Sequence, residues 1–285
     1  MEPLLRGKEL LELPTLKEKP HGWKTWFVFW TLLIATVITT YMAGGFLFSI
    51  SLILILGTHE FGHYWASRRN NVQATLPFFV PAPPIFIAGT FGAFIHIKDP
   101  IPNRKILMEI GAAGPIAGFV VAVPILIVGL FLSEVGPRGL FYGMAFGNSI
   151  ILRVFSQIIL GANPSSPDVS VVLHPIAFAG WIGMLVTALN LLPIGQLDGG
   201  HVIYALVREK FTYLSRFFFL TLVLLGLYWS GWWFWAILAA ILGFRPAPVM
   251  YQNVDLEKRH KWMGWIAIFI FLVTFIPVPF EYIGY

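Results

Sequence analysis

No cysteine occurs in the chain, so disulfides, thiolate metal sites and a cysteine nucleophile are all excluded. A metal ion here must be held by His, Asp or Glu. Charge is also scarce, at 12% of residues, where a soluble domain carries about a quarter. With 57% hydrophobic residues and a mean hydropathy of +0.76, the 285 residues read as an all-α polytopic membrane protein. The net charge of +5 does not point to nucleic acid, because the basic residues are spread along loops and form no aromatic-interleaved surface. Their pattern serves orientation instead, and the expected partner is the lipid bilayer.

About seven transmembrane helices are expected. The polar stretch 1–24 reads as a cytoplasmic tail, too polar and too mixed in charge for a signal peptide. Trp23 to Tyr41 is the first span and breaks at Gly44-Gly45; Phe46 to Ala66 is the second and ends at Arg68-Arg69. Further spans are expected over Ile106 to Leu132, Ala177 to Leu192, Phe217 to Tyr228, Trp232 to Phe244 and Trp262 to Ile276. With the tail inside, 17 of the 19 Lys and Arg fall on the cytoplasmic side, only Arg138 and Arg153 lying outside. Between Val72 and Lys98, Pro77, Pro81, Pro83 and Pro84 forbid a continuous helix. The alternation there predicts a short membrane-associated β-hairpin-like segment. Ser149 to Leu160 is expected as an amphipathic helix on the surface, and 163–167 as a loop.

Inside the second span stands His59-Glu60-Phe61-Gly62-His63, an H-E-x-x-H motif. Positions i and i+4 share one helix face, so His59 and His63 can grip one ion, zinc being the natural guest. Glu60 follows the first ligand, where it can act as catalytic base toward an attacking water without itself binding metal. His59 lies nine residues before Arg68, about 14 Å of helix, which puts the site within the membrane toward its cytoplasmic side. A ligating group at that depth is a functional-site candidate.

Such a zinc site needs a third protein ligand and an open fourth position. Asp198 is the best candidate, because it follows a span stopped by Pro193. The flanking Gly195, Gly199 and Gly200 let backbone come close. In the third expected span, Gly111, Gly114, Pro115 and Gly118 permit close helix contact.

Asn190-Leu191-Leu192-Pro193 with Leu197-Asp198-Gly199, paired with the H-E-x-x-H, resembles the site-2 protease family of intramembrane zinc metalloproteases. Gly111 to Pro115, Gly89 to Gly92, His174-Pro175 and Gly180-Trp181 extend the likeness, which is strongest to the archaeal, bacterial and plastid branch without a PDZ insertion. The resemblance implies one zinc ion per chain held by His59, His63 and Asp198. It makes Glu60 the base and puts Asn190 near the scissile peptide. It further implies a transmembrane protein substrate, often trimmed first by another protease, cleaved in regulated intramembrane proteolysis. Gly89 to Ala93 would receive that substrate as an added strand. The resemblance covers about Gly57 to His201. Residues 25–210 then form a catalytic transmembrane core, and 211–285 accessory helices, in a multi-pass protein of the cell membrane.

Two other readings compete. A ZIP-like metal transporter also sets H-E-x-x-H-like spacing on a membrane helix, but transport needs a path of ligands, and no His-rich loop exists here. A structural membrane protein with a vestigial metal site would not require the base Glu60. Elsewhere, Glu109 is expected to snorkel toward water, His201 to cap a short helix in preference to supporting the metal ligands from behind, His174 to lie in a loop or interface and His96 in the hairpin. His21 and His260 are expected to be solvated.

Overall fold

In a computed structural model, the structure describes residues 22–83, 85–137, 143–164, 169–244, 248–251 and 253–283. The expected tail up to residue 21, with His21, and much of the expected loop 163–167 lie outside the described residues, as does Arg138. The first helix, α1, runs from Trp23 to Arg69 and merges the first two expected spans. At Gly45 the backbone takes φ 80° and ψ −177°, a conformation that an L side chain strongly disfavours, so a single glycine replaces the turn. Across this break, Thr40 Oγ1 and Ser49 Oγ lie 2.7 Å apart and satisfy each other in an apolar setting.

Strands β1 (Phe78–Pro81) and β2 (Thr90–Phe94) make the expected hairpin, antiparallel with Phe79 opposite Ala93 and Val80 opposite Gly92. Thr90 Oγ1 ties its base, donating to the Val80 carbonyl at 2.8 Å and accepting from Gly92 N at 3.0 Å. Phe79 is buried beside Gly57 of α1, so the hairpin is seated just before His59. Strand β3 (Ile101–Asn103) leads into α2 (Arg104–Phe131), where Asn103 Oδ1 accepts from Lys105 N and Ile106 N as a helix cap.

Next come β4 (Glu134–Pro137), β5 (Gly143–Phe146), α3 (Ile150–Leu160) capped by Ser149, and β6 (Val169–Val172). Helix α4 (Pro175–Asn190) is capped by His174, whose Nδ1 accepts from Ile176 N at 3.3 Å. Helix α5 (Asp198–Val207) precedes a 3-10 turn at Arg208–Lys210, then α6 (Phe211–Leu225), α7 (Gly231–Leu242), β7 (Val249–Tyr251), α8 (Lys258–Thr274) and β8 (Phe280–Ile283). The strands beyond the hairpin are unexpected in a chain read as all-α. They form three more two-stranded pairs: β3 with β7, β4 with β6 and β5 with β8. Each of these strands has only three or four residues and pairs with a segment remote in sequence, leaving no local signature, which is why only the hairpin announces itself in sequence.

Among the described residues, two helices, α1 and α2, are long and apolar enough to cross a membrane. Phe27, Ile34, Ile38, Phe46, Ile50, Leu54 and Phe61 of α1 are all exposed, an apolar stripe far too long for an aqueous surface and suited to lipid. Helices α4, α6, α7 and α8 have 16, 15, 12 and 17 residues. A straight crossing needs roughly 20 residues, so length does not establish the expected count of seven spans.

The main core lies where α1, α2 and α4 meet, with Phe48, Leu52, Leu126, Leu130 and Trp181 buried together. A second cluster joins α2 and α5 to α8 through Met108, Ala112, Val202, Ala205, Ala267 and Ile270. The last long helix therefore packs on the two helices that flank the site.

Candidate metal centre

His59 and His63 project from one face of α1 toward α2, and the sequence makes room for them there. A Cβ built on Gly114 would collide with the His63 imidazole, and one on Gly118 would stand 3.1 Å from His59 Nδ1. Any larger residue at Gly114 would displace the ring. The glycine spacing of the third expected span thus accommodates two histidines in addition to bringing backbones close. Both imidazoles are buried, at 3% and 6% exposure.

Asp198 arrives from the opposite side. Helix α4 ends at Asn190, and Pro193 follows in the irregular stretch before α5 starts at Asp198. Gly199 and Gly200 lie so close to the carbonyls of Leu191 and Gly195 that no side chain fits at either position. Asp198 Oδ2 stands 3.2 Å from His59 Nε2 and 3.1 Å from His63 Nε2, and the two Nε2 atoms are 3.2 Å apart.

The proton positions make this triangle telling. His63 Nδ1 lies 2.7 Å from the Ile110 carbonyl oxygen, which can only accept, so Nδ1 carries the proton. In the neutral ring Nε2 is then a bare lone pair, aimed at a second imidazole nitrogen and a carboxylate oxygen. Such a convergence of acceptors calls for a cation. Zinc fits: bonds of about 2.0–2.1 Å at tetrahedral angles set ligand atoms roughly 3.3 Å apart. Among the described residues, His59, His63 and Asp198 are the one group of three such side chains placed to share an ion.

Glu60 is buried at 6% exposure, and the Ile95 backbone N–H just beyond β2 interacts with its carboxylate. Asn190, the last residue of α4, places Nδ2 3.4 Å from His59 Nε2 and so faces the same space. The structure thus brings together all five residues singled out from sequence.

Other positions differ from expectation. His201 is not a cap: it sits within the first turn of α5, its Cβ against Gly111, and Nδ1 is buried without a hydrogen-bond partner. Glu109 keeps partial exposure, but its carboxylate is engaged by protein groups, and His260 is not solvated. They pair with each other, His260 Nε2 donating to Glu109 Oε1 at 3.1 Å, and His260 has no exposed surface. His96 is exposed in the hairpin segment, its backbone bonded to Thr75. Sequence reading also passed over Ile110 and Ile95, which act through backbone groups that no side-chain motif reveals.

Fold and site together define a helical membrane protein with a buried His, His, Asp cation site of the H-E-x-x-H type. Residues 47–226 match peptidase family M50, and the chain belongs to that family, the site-2 proteases to which its motifs pointed. The probable zinc metalloprotease EGY2, chloroplastic, of Arabidopsis thaliana is 29% identical over 234 residues, which is 81% of this chain and 41% of that protein. Its namesake from Oryza sativa subsp. indica is 31% identical, covering 80% and 42%. The probable zinc metalloprotease EGY1, chloroplastic, of Arabidopsis thaliana is 32% identical over 232 residues, covering 79% and 41%. The chain therefore spans about two fifths of the length of these curated relatives. No solved structure matches it significantly.

Proposed function

We propose that this protein is an intramembrane zinc metalloprotease that hydrolyses a peptide bond in or near the transmembrane segment of a membrane-protein substrate. The observation that carries the reading is the triangle of three converging ligand atoms, with a buried glutamate beside it, on a helix whose outer face is lipid-like. In this reading His59, His63 and Asp198 hold one zinc ion, and the relatives' names include zinc metalloproteases. When bound, zinc supplies Lewis acidity, lowering the pKa of water and polarising a carbonyl.

The chain's own groups do the rest. Glu60 takes the proton of the attacking water and passes it to the leaving amine as the C–N bond breaks and a new C–O bond forms. Asn190 Nδ2 points into the same space and orients the scissile carbonyl. A substrate helix has its amides bonded internally, so it must unwind before attack. Strand β2 pairs with β1 on one side, and its other edge offers backbone groups to the extended substrate. The Ile95 N–H beside Glu60 then registers that strand against the base.

For topology we retain seven crossings, with the tail on the cytoplasmic side. The strand pairs support this. They join β3 to β7, both in segments assigned inside, and β5 to β8, both in segments assigned outside. The substrate class inferred is a single-span protein, shortened beforehand by another protease. A ZIP-like transporter is not favoured, because the ligands converge on one point and form no path.

The deciding experiment is cleavage of a single-span substrate in proteoliposomes by wild type and Glu60→Gln, with zinc flux followed in parallel. Peptide products from wild type alone, without zinc movement, support the protease. Zinc movement without products sinks it.

A further inference from the structure

We infer that Glu109 and His260 are positioning residues for the metal site, through which helix α8 sets the orientation of the ligand His63. This rests on the metal-site reading above. The matched family region ends at residue 226, so α8 lies beyond it, yet its first turn reaches back to the catalytic helices.

Glu109 is the node. Its Oε1 accepts from His260 Nε2 at 3.1 Å and lies 3.2 Å from Arg259 Nη2, both groups belonging to α8. Its Oε2 accepts from Asn70 Nδ2 at 2.7 Å, and the same amide donates to the Ala66 carbonyl at 2.9 Å, closing the last turn of α1. The very next residue, Ile110, gives the carbonyl that takes the His63 Nδ1 proton at 2.7 Å. One carboxylate thus fastens three elements at the turn of α2 that fixes a ligand's tautomer and ring plane.

Burial argues that the contact has a purpose beyond filling space. His260 has no exposed surface, and its Nδ1 is buried without a partner, so the ring is held there at a polar cost. An apolar residue of similar volume would avoid that cost. What it could not do is donate to Glu109. Partners that hold a histidine ligand in place typically change metal affinity by roughly 10–100-fold when removed. The path here is made of contiguous bonds, Nε2 of His260 to Glu109, then one residue of helix, then Ile110 O to His63.

The test uses the full-length protein in nanodiscs, stripped of metal. Zinc affinity is measured by competition with a chelating dye, and ligand geometry by the absorption spectrum of the cobalt(II) form. Glu109→Ala and His260→Leu are expected to lower zinc affinity roughly 10–100-fold and to shift the cobalt bands. His260→Leu keeps the buried volume and still decides the matter if Glu109→Ala does not fold. His260→Gln, which can present an N–H at the Nε2 position, should restore most of the affinity, a rescue that a volume role does not give. Lys105→Gln removes an exposed ion pair of the same interface, Lys105 with Glu257, and should change neither readout. Unchanged affinity and spectrum in His260→Leu, or His260→Gln behaving like it, overturns the inference and leaves the protease reading standing. An equal loss in Lys105→Gln also overturns it, since general docking of α8 would then suffice. A wild-type chain that binds no zinc overturns both.

Discussion

The Nδ1 of His63 lies 2.7 Å from the carbonyl oxygen of Ile110, and this bond dictates which nitrogen of His63 faces Asp198.

Replacing Glu60 with Gln keeps the side chain's size and removes its capacity to take a proton. Zinc content should stay at that of wild type while turnover of a transmembrane substrate falls by roughly 10²–10⁴-fold. Metal analysis beside a gel-based cleavage assay checks both halves, and wild-type turnover by the variant would strip Glu60 of its role.

Asp198→Ala removes one of the three converging atoms. Zinc affinity should drop by more than the roughly 10–100-fold cost of losing an outer partner, with cleavage lost as well. Unaltered zinc stoichiometry after dialysis would mean that a different side chain completes the site.

Gly114→Ala adds a methyl where the His63 ring already lies. The clash should cost about 1–3 kcal/mol of stability and weaken metal binding together, because the ring cannot move without leaving Ile110. Thermal unfolding and metal content read the two effects. A variant with wild-type zinc affinity would show that α1 and α2 separate more readily than their packing implies.

Asn190→Ala should retain zinc and stability while kcat falls by roughly 10²-fold, the scale of losing one donor that orients a reacting carbonyl. A change confined to KM would reassign Asn190 to ground-state binding of the substrate.

Much of the site can be read from the sequence because its chemistry is local. His59, Glu60 and His63 lie within one turn of helix, and Asp198 is flagged by Pro193 and the glycines around it. The break at Gly45 and the hairpin from Phe78 to Phe94 are likewise written in short stretches of glycine, proline and alternation. What is hidden is pairing at a distance. Glu109 and His260 are 151 residues apart, and each taken alone looks like a charge or ring near a helix end that belongs in water. The strand pair β5 with β8 is hidden for the same reason, since four extended residues carry no periodic signal.

The near-complete burial of His59 and His63 bears on pharmacology. In the proposed intramembrane reading, an inhibitor first dissolves in the bilayer or slips between helices before it meets the ion. Potency should therefore track partition into lipid as much as intrinsic affinity for zinc. A compact apolar chelator such as phenanthroline should silence the protein within minutes, whereas highly charged EDTA, stronger in water, should act slowly by capturing zinc that has already escaped.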